Sequence, residues 1–369
     1  MNINKLLLVT LFFCMSVTTW CRQNTIYLDW FGDSLRNDKL FNLVGGGEEW
    51  QLLRNILRKH EYDITTYRYA ADKDASKLYC GTHFDIPNNL DKLLKTYGKD
   101  KLAVFLWEPP SVKPQNFDRS RHKNIKLVFT WADDLIDNKK YFKFFYPQPH
   151  AVNVKKIAYE DKKFCCTMVG CKKSNHPEEL YSERLKTILF FENKSPHLFD
   201  LYGPGWKGSK FSCYKGVAEE KFQTLARYKF CICYENIKNI TGYVSEKIHH
   251  CLLTGCVPVY WGASNITDYI PAECFIDRRK FASNQELFEF LTTITPQRYQ
   301  EYLDAAQKYL ESPQQMLFSN LYFADCLLKG FIKNYTRSDF FDSTDIDLLE
   351  QIDHMQQKII IKSRIVKSS

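Results

Sequence analysis

No stretch of this sequence reaches the 18 or so consecutive apolar residues that mark a membrane-spanning helix. The 15 uncharged residues Leu6 to Trp20 come nearest in kind, between Lys5 and Arg22. The 13 cysteines include no C-x-x-C pair with histidines at zinc spacing, so a structural zinc site is not expected. A phosphate-binding loop of the form G-x-x-x-x-G-K-[ST] is missing, and so is any internal repeat. Basic residues are not gathered into one block: Lys and Arg number 51 against 43 Asp and Glu, interspersed, for a net charge of +8. That balance suits an anionic small ligand or a membrane surface better than a nucleic acid. Disorder, collagen and coiled coil are excluded by 44% hydrophobic and 15% aromatic residues in 369.

What is present reads as two α/β units. A positive start and a short apolar run fit a secretory signal or short anchor over 1–22. Strand-like Thr25 to Trp30, helical Glu48 to His60, strand-like Asp63 to Tyr69, helical Leu90 to Tyr97 and buried strands at Leu102 to Trp107 and Leu127 to Trp131 give an α/β domain over 23–150. Residues 138–175 show no clear period and read as a linker or crossover. The grammar then resumes over 151–349: helices at Glu178 to Leu189, Lys221 to Arg227, Ser245 to Thr254, Asn284 to Thr293 and Gln297 to Glu311, with strands ending at Gly203 and spanning Phe230 to Tyr234, Val257 to Trp261 and Phe275 to Asp277. A helical, basic tail follows over 350–369. Asp133-Asp134 reads as a solvated turn. Asp345-Ile346-Asp347 reads as a helix start rather than a metal site. The N-x-S/T triplets at Asn193, Asn239, Asn265 and Asn334 read as chance matches.

The segment Arg227 to Phe281 is the most unusual. A buried strand ends in Tyr234-Glu235-Asn236, and a loop with Gly242 and Tyr243 leads to a helix capped by Ser245. Glu246 in its first turn suits the helix dipole; Lys247 does not, which points to an anionic partner at that end. Strand ends and helix starts meet at one edge, where open α/β sheets bind ligands.

This segment resembles the donor-binding signature of the α1,3/4-fucosyltransferase family. The resemblance is carried by Tyr228-Lys229-Phe230, Tyr234-Glu235-Asn236, Gly242-Tyr243-Val244-Ser245-Glu246-Lys247, Val257-Pro258-Val259-Tyr260-Trp261-Gly262 and Phe275-Ile276-Asp277. Tyr234 stands where the family usually has Phe, and Ile237 to Thr241 is insertion-like. Upstream, Ser174-Asn175 with Arg184, Asp200-Leu201-Tyr202-Gly203, and Trp107-Glu108-Pro109-Pro110-Ser111 are similar to shorter family motifs, as is the strand Leu127 to Trp131. The resemblance covers roughly residues 100 to 282.

It implies a GT-B fold, two Rossmann-like domains facing a cleft, and inverting transfer of L-fucose from GDP-fucose to a hydroxyl of an oligosaccharide or glycoconjugate, GlcNAc in an α1,3 or α1,4 linkage. Under it Glu108 is the general base. Arg184 and Lys247 hold the diphosphate, Tyr243 and Glu246 hold donor hydroxyls, and Asn236 lies beside them. No divalent metal is required, no nucleic acid is a partner, and the N-terminus associates with a membrane, Golgi-type lumenal or bacterial. Transfer of another nucleotide-activated deoxysugar and non-catalytic glycan binding stay open as alternatives.

Overall fold

A computed structural model describes residues 24–29, 38–43, 47–66 and 79–368. The expected signal or anchor over 1–22 lies outside the described residues. Two parallel sheets organise the chain. The first has strand order β2-β1-β3-β4-β5-β6, from Thr25–Asp29 (β1), Asp63–Thr65 (β2), Tyr79–Phe84 (β3), Leu102–Leu106 (β4), Leu127–Thr130 (β5) and Tyr141–Lys143 (β6). The second runs β11-β10-β9-β7-β8, from Lys163–Met168 (β7), Phe199–Tyr202 (β8), Tyr228–Tyr234 (β9), Val257–Trp261 (β10) and Ile276–Asp277 (β11). Every pairing between these strands is parallel. Parallel strands are covered on both faces, which is why β4 (LAVFL) is apolar at every position and buried throughout.

Each sheet has a point where strand order reverses, between β1 and β3 in the first and between β7 and β9 in the second. The crevice at the carboxyl end of such a point is where open α/β sheets hold ligands. On β9 alternate residues enter different cores: Phe230, Ile232 and Tyr234 join Ile188, Phe191 and Leu287, while Cys231 and Cys233 join Ile248 and Cys251.

The segment read as a linker over 138–175 contains β6 and β7, and β7 pairs with both β8 and β9. Its three buried residues, Cys165 to Thr167, are framed by Lys162, Lys163 and Lys172, which hide a short central strand from a reading by hydrophobicity. β3 (YCGTHF) was not anticipated either; its Gly and His break the apolar pattern. The helix Asn320–Phe331 was likewise not anticipated. It returns to the first sheet: Trp50 packs edge-on against Phe84, Phe105 and Phe323 at 5.1–5.8 Å. A Cβ at Gly330 would come within 2.7 Å of Phe129, so this helix lies hard against β5. The last helix, Ser343–Ser368, is longer than the expected tail and holds Asp345 in its first turn. Among the described residues no helix is long and apolar enough to cross a membrane.

Asp133 departs from its reading as a solvated residue. It has no exposed surface, and it accepts hydrogen bonds from Lys143 (2.7 Å), Tyr269 (2.6 Å) and Asn265 (3.0 Å). Lys143 belongs to the first sheet; Asn265 and Tyr269 follow β10. The carboxylate is therefore a knot in the seam between the two domains. Gly242 passes the same seam with φ 83°, where a Cβ would stand 2.3 Å from the Trp131 carbonyl.

Candidate donor and acceptor cleft

The carboxyl ends of the two sheets face each other across a cleft of about 250 Å3. Glu108, Arg184, Asn236, Tyr243, Glu246 and Lys247 all line it. The structure thus gathers every site residue named from the sequence, although Glu108 and Lys247 lie in different domains and 139 positions apart (247 − 108).

Glu108 leaves the end of β4 beside Trp107, whose ring stacks on Phe144 at 5.2 Å. Burial pushes the Glu108 carboxyl above its usual value and the nearby Asp85 adds to this; Lys172 and Lys247 pull the other way. That is the environment in which a carboxylate can accept a proton near neutrality.

Arg184 projects from the helix Tyr181–Lys194 and is only 5% exposed. Its Nη2 donates to the Tyr234 carbonyl (2.7 Å) and to Asn236 Oδ1 (3.0 Å), while its Nε is buried without a partner. Among the described residues no carboxylate pairs with it. Burying an arginine without a counter-ion is costly, and burial lowers its pKa accordingly.

Lys247 lies in the first turn of the helix Glu246–Leu253, whose cap is Ser245. Its Nζ donates to Glu235 Oε2 (3.0 Å) and to Ser245 Oγ (3.0 Å). Burial disfavours its charge, but Glu235 and Glu246 outweigh that and raise its pKa. Glu235, missed as a site residue although it stands in the quoted motif, organises this corner. It is wholly buried and accepts from the Ser245 N–H and Oγ, both at 2.8 Å, besides Lys247. A Cβ at Gly262 would lie 2.5 Å from Glu235 Cγ, which is why glycine follows the strand β10 there. Burial pushes the Glu246 carboxyl up, but Lys247, Lys221 and His250 prevail and hold it at about 2.

Tyr243 is 3% exposed; its ring meets Trp131 at 4.6 Å, and its hydroxyl accepts from Asn236 Nδ2 at 3.3 Å. Asn236 therefore spends its side chain on Arg184 and Tyr243, aiming both. Lys172, another lining residue, was not foreseen; it lies in the loop after β7. That loop is shaped by Gly203-Pro204-Gly205-Trp206-Lys207-Gly208, which has G-x-G-x-x-G spacing, passed over in the sequence, but runs into turns instead of opening a helix. It bonds Cys171 N–H to the Pro204 carbonyl (2.9 Å) and Trp206 Nε1 to the Val169 carbonyl (2.7 Å).

Residues 159–328 match the glycosyltransferase family 10 (fucosyltransferase) C-terminal domain. The match covers a little under half of the chain. An alpha-(1,4)-fucosyltransferase of Arabidopsis thaliana is 40% identical over 80 residues, 21% of this chain and 20% of that protein. Human alpha-(1,3)-fucosyltransferase 7 is 35% identical over 126 residues, 33% of this chain and 35% of that protein. The chain thus spans between a fifth and about a third of these curated relatives. An alpha1,3-fucosyltransferase crystal structure superposes with a TM-score of 0.52 at 13% identity, covering 86% of this chain and 92% of that one. At such identity the likeness concerns the fold, which is GT-B. The fucosyltransferase-family segment begins just before β7 and supplies Arg184, Asn236, Tyr243, Glu246 and Lys247; Glu108 lies outside it.

Proposed function

We propose that the protein transfers L-fucose from GDP-fucose, with inversion at the anomeric carbon, to a hydroxyl of a glycan acceptor, GlcNAc in an α1,3 or α1,4 linkage. The observation that carries this reading is the opposition of charges across one cleft: Glu108 from the first domain, Arg184 and Lys247 from the second. The fucosyltransferase relatives supply the sugar. Arg184, an arginine fork without a counter-ion, and Lys247, a point charge at a helix N-terminus, take the diphosphate and stabilise it as it leaves. Glu108 takes the acceptor proton as the new bond forms on the opposite face of the sugar. Tyr243 and Glu246 meet donor hydroxyls. Two fixed cations neutralise the diphosphate, so a divalent metal has no part in this scheme. Membrane association through residues 1–22 belongs to the same proposal.

Titration calorimetry without added metal tests it. Wild type and Glu108→Gln are expected to bind GDP-fucose alike and in preference to GDP-mannose, and Lys247→Ala to lose at least tenfold in affinity. Glu108→Gln is expected to lose fucose transfer to N-acetyllactosamine-type acceptors. If neither nucleotide sugar binds wild type, the donor assignment fails.

A further inference from the structure

Glu108 is held through its backbone. Its N–H donates to Asp85 Oδ1 at 2.8 Å, and its carbonyl accepts from Asn116 Nδ2 at 2.9 Å. Asn116 Nδ2 also donates to Asp85 Oδ1, and its Oδ1 accepts from the Ile86 N–H at 2.9 Å. Both side chains are buried, Asp85 at 3% and Asn116 at 0% exposure. Behind them His122 Nε2 meets the Asn116 carbonyl at 2.9 Å, and its Nδ1 meets Tyr141 Oη at 3.0 Å. Asp85 itself sits at φ 62°, a left-handed conformation that aspartate tolerates and most residues do not, with its N–H on the Phe105 carbonyl at 2.7 Å. A strained turn after β3 is thus bonded both to β4 and to the loop that leaves it.

We propose that Asp85 is a positioning residue for Glu108: together with Asn116 it fixes the loop carrying Glu108 at the cleft and sets a buried negative charge behind its carboxyl. The proposal rests on the reading of Glu108 as the base. The charged groups facing Glu108 are Asp85 from the turn after β3, Lys172 from the loop after β7, and Glu246 and Lys247 from the helix start; the hydroxyls of Tyr146, Tyr181 and Tyr243 face it as well. Lys113 faces Asp85. After burial, Asp85 is the strongest influence keeping the proton on Glu108, ahead of Glu246. A carboxylate that does not line the cleft thereby sets the pH at which the base is ready.

The test is a 13C NMR titration of protein labelled at the glutamate side-chain carboxyls, with the Glu108 signal assigned by its loss in Glu108→Gln. In Asp85→Asn, which keeps an oxygen acceptor for the Glu108 N–H, the Glu108 midpoint is expected to fall by about 0.5–1 pH unit. Affinity for GDP-fucose by calorimetry is expected to stay within twofold, because Asp85 does not line the cleft. Should Asp85→Asn not fold, Asp85→Ser serves, with the same fall expected. An unmoved midpoint overturns the proposal. Release of GDP from GDP-fucose with water as acceptor separates the two ideas: if Glu108→Gln releases GDP as fast as wild type, the base reading fails, while the titration still decides whether Asp85 governs Glu108.

Discussion

Arg184 is a cation kept dry with two neutral oxygens for company. Such a group is stable only while something bears its charge, and the cleft is the open side. Lysine at this position keeps the charge but loses the fork that grips a diphosphate through paired N–H bonds. Arg184→Lys is therefore expected to weaken GDP-fucose binding at least tenfold, about 1.4 kcal/mol, in calorimetry; unchanged affinity would place the donor elsewhere. At this scale much of the site was legible. Lys247 stood out because a cation opening a helix contradicts the dipole, and Glu108 because Trp107-Glu108-Pro109-Pro110-Ser111 resembles a family motif at the end of a buried strand. Glu235 was not legible, since nothing in Tyr234-Glu235-Asn236 says which residue turns inward. Asp85 was even less so: the strand before it, β3, carries no apolar pattern, and its partner Asn116 lies 31 positions away.

The helix Glu246–Leu253 carries the cleft's charges on its first turn and a buried histidine on its second. His249 has no exposed surface and shares a hydrogen bond of 3.1 Å with Tyr309 Oη. Burial, with the neighbouring His250 adding to it, lowers its pKa from 6.5 to about 3. Between those values the unfolded chain binds a proton that the folded one refuses. Stability is therefore full above pH 6.5 and falls as pH drops toward 3, by about 1.4 kcal/mol per unit for this one group. Urea unfolding at pH 7 and pH 5 is expected to show wild type losing about 2 kcal/mol more than His249→Gln; equal losses would exonerate His249. The helix and its cap were readable from Ser245 and Gly255. The strand β7 of the second sheet was not, because it stands in a lysine-rich segment without a clear period.

Across the whole molecule, the two domains are joined by hydrogen bonds from Tyr269 and Asn265 to a buried ion pair of the first domain as well as by apolar packing. Lys143 and Asp133 are both almost wholly inaccessible, and the carboxylate also serves Tyr269 and Asn265. Asp133→Ala strands a buried ammonium and two polar partners, so it is expected to cost about 3–5 kcal/mol in urea unfolding. A loss under 1 kcal/mol would show that water enters the seam freely. The α/β alternation announced two sheets, but not that the chain would double back: the return is made by the helix Asn320–Phe331, whose contacts with the first sheet follow some 200 residues after the strands they cover. That return sets a timetable. A ribosome releasing about 5–20 residues per second delivers the helix Glu48–Lys59 and β5 well before Phe323 and Gly330 exist to cover them. Through that interval Trp50 lacks Phe323, and Phe129 lacks Gly330 and Phe331, which pack on them in the finished protein. The domain synthesised first is the one completed last, and the nascent chain's exposure to chaperones and to aggregation is greatest where the mature protein is driest.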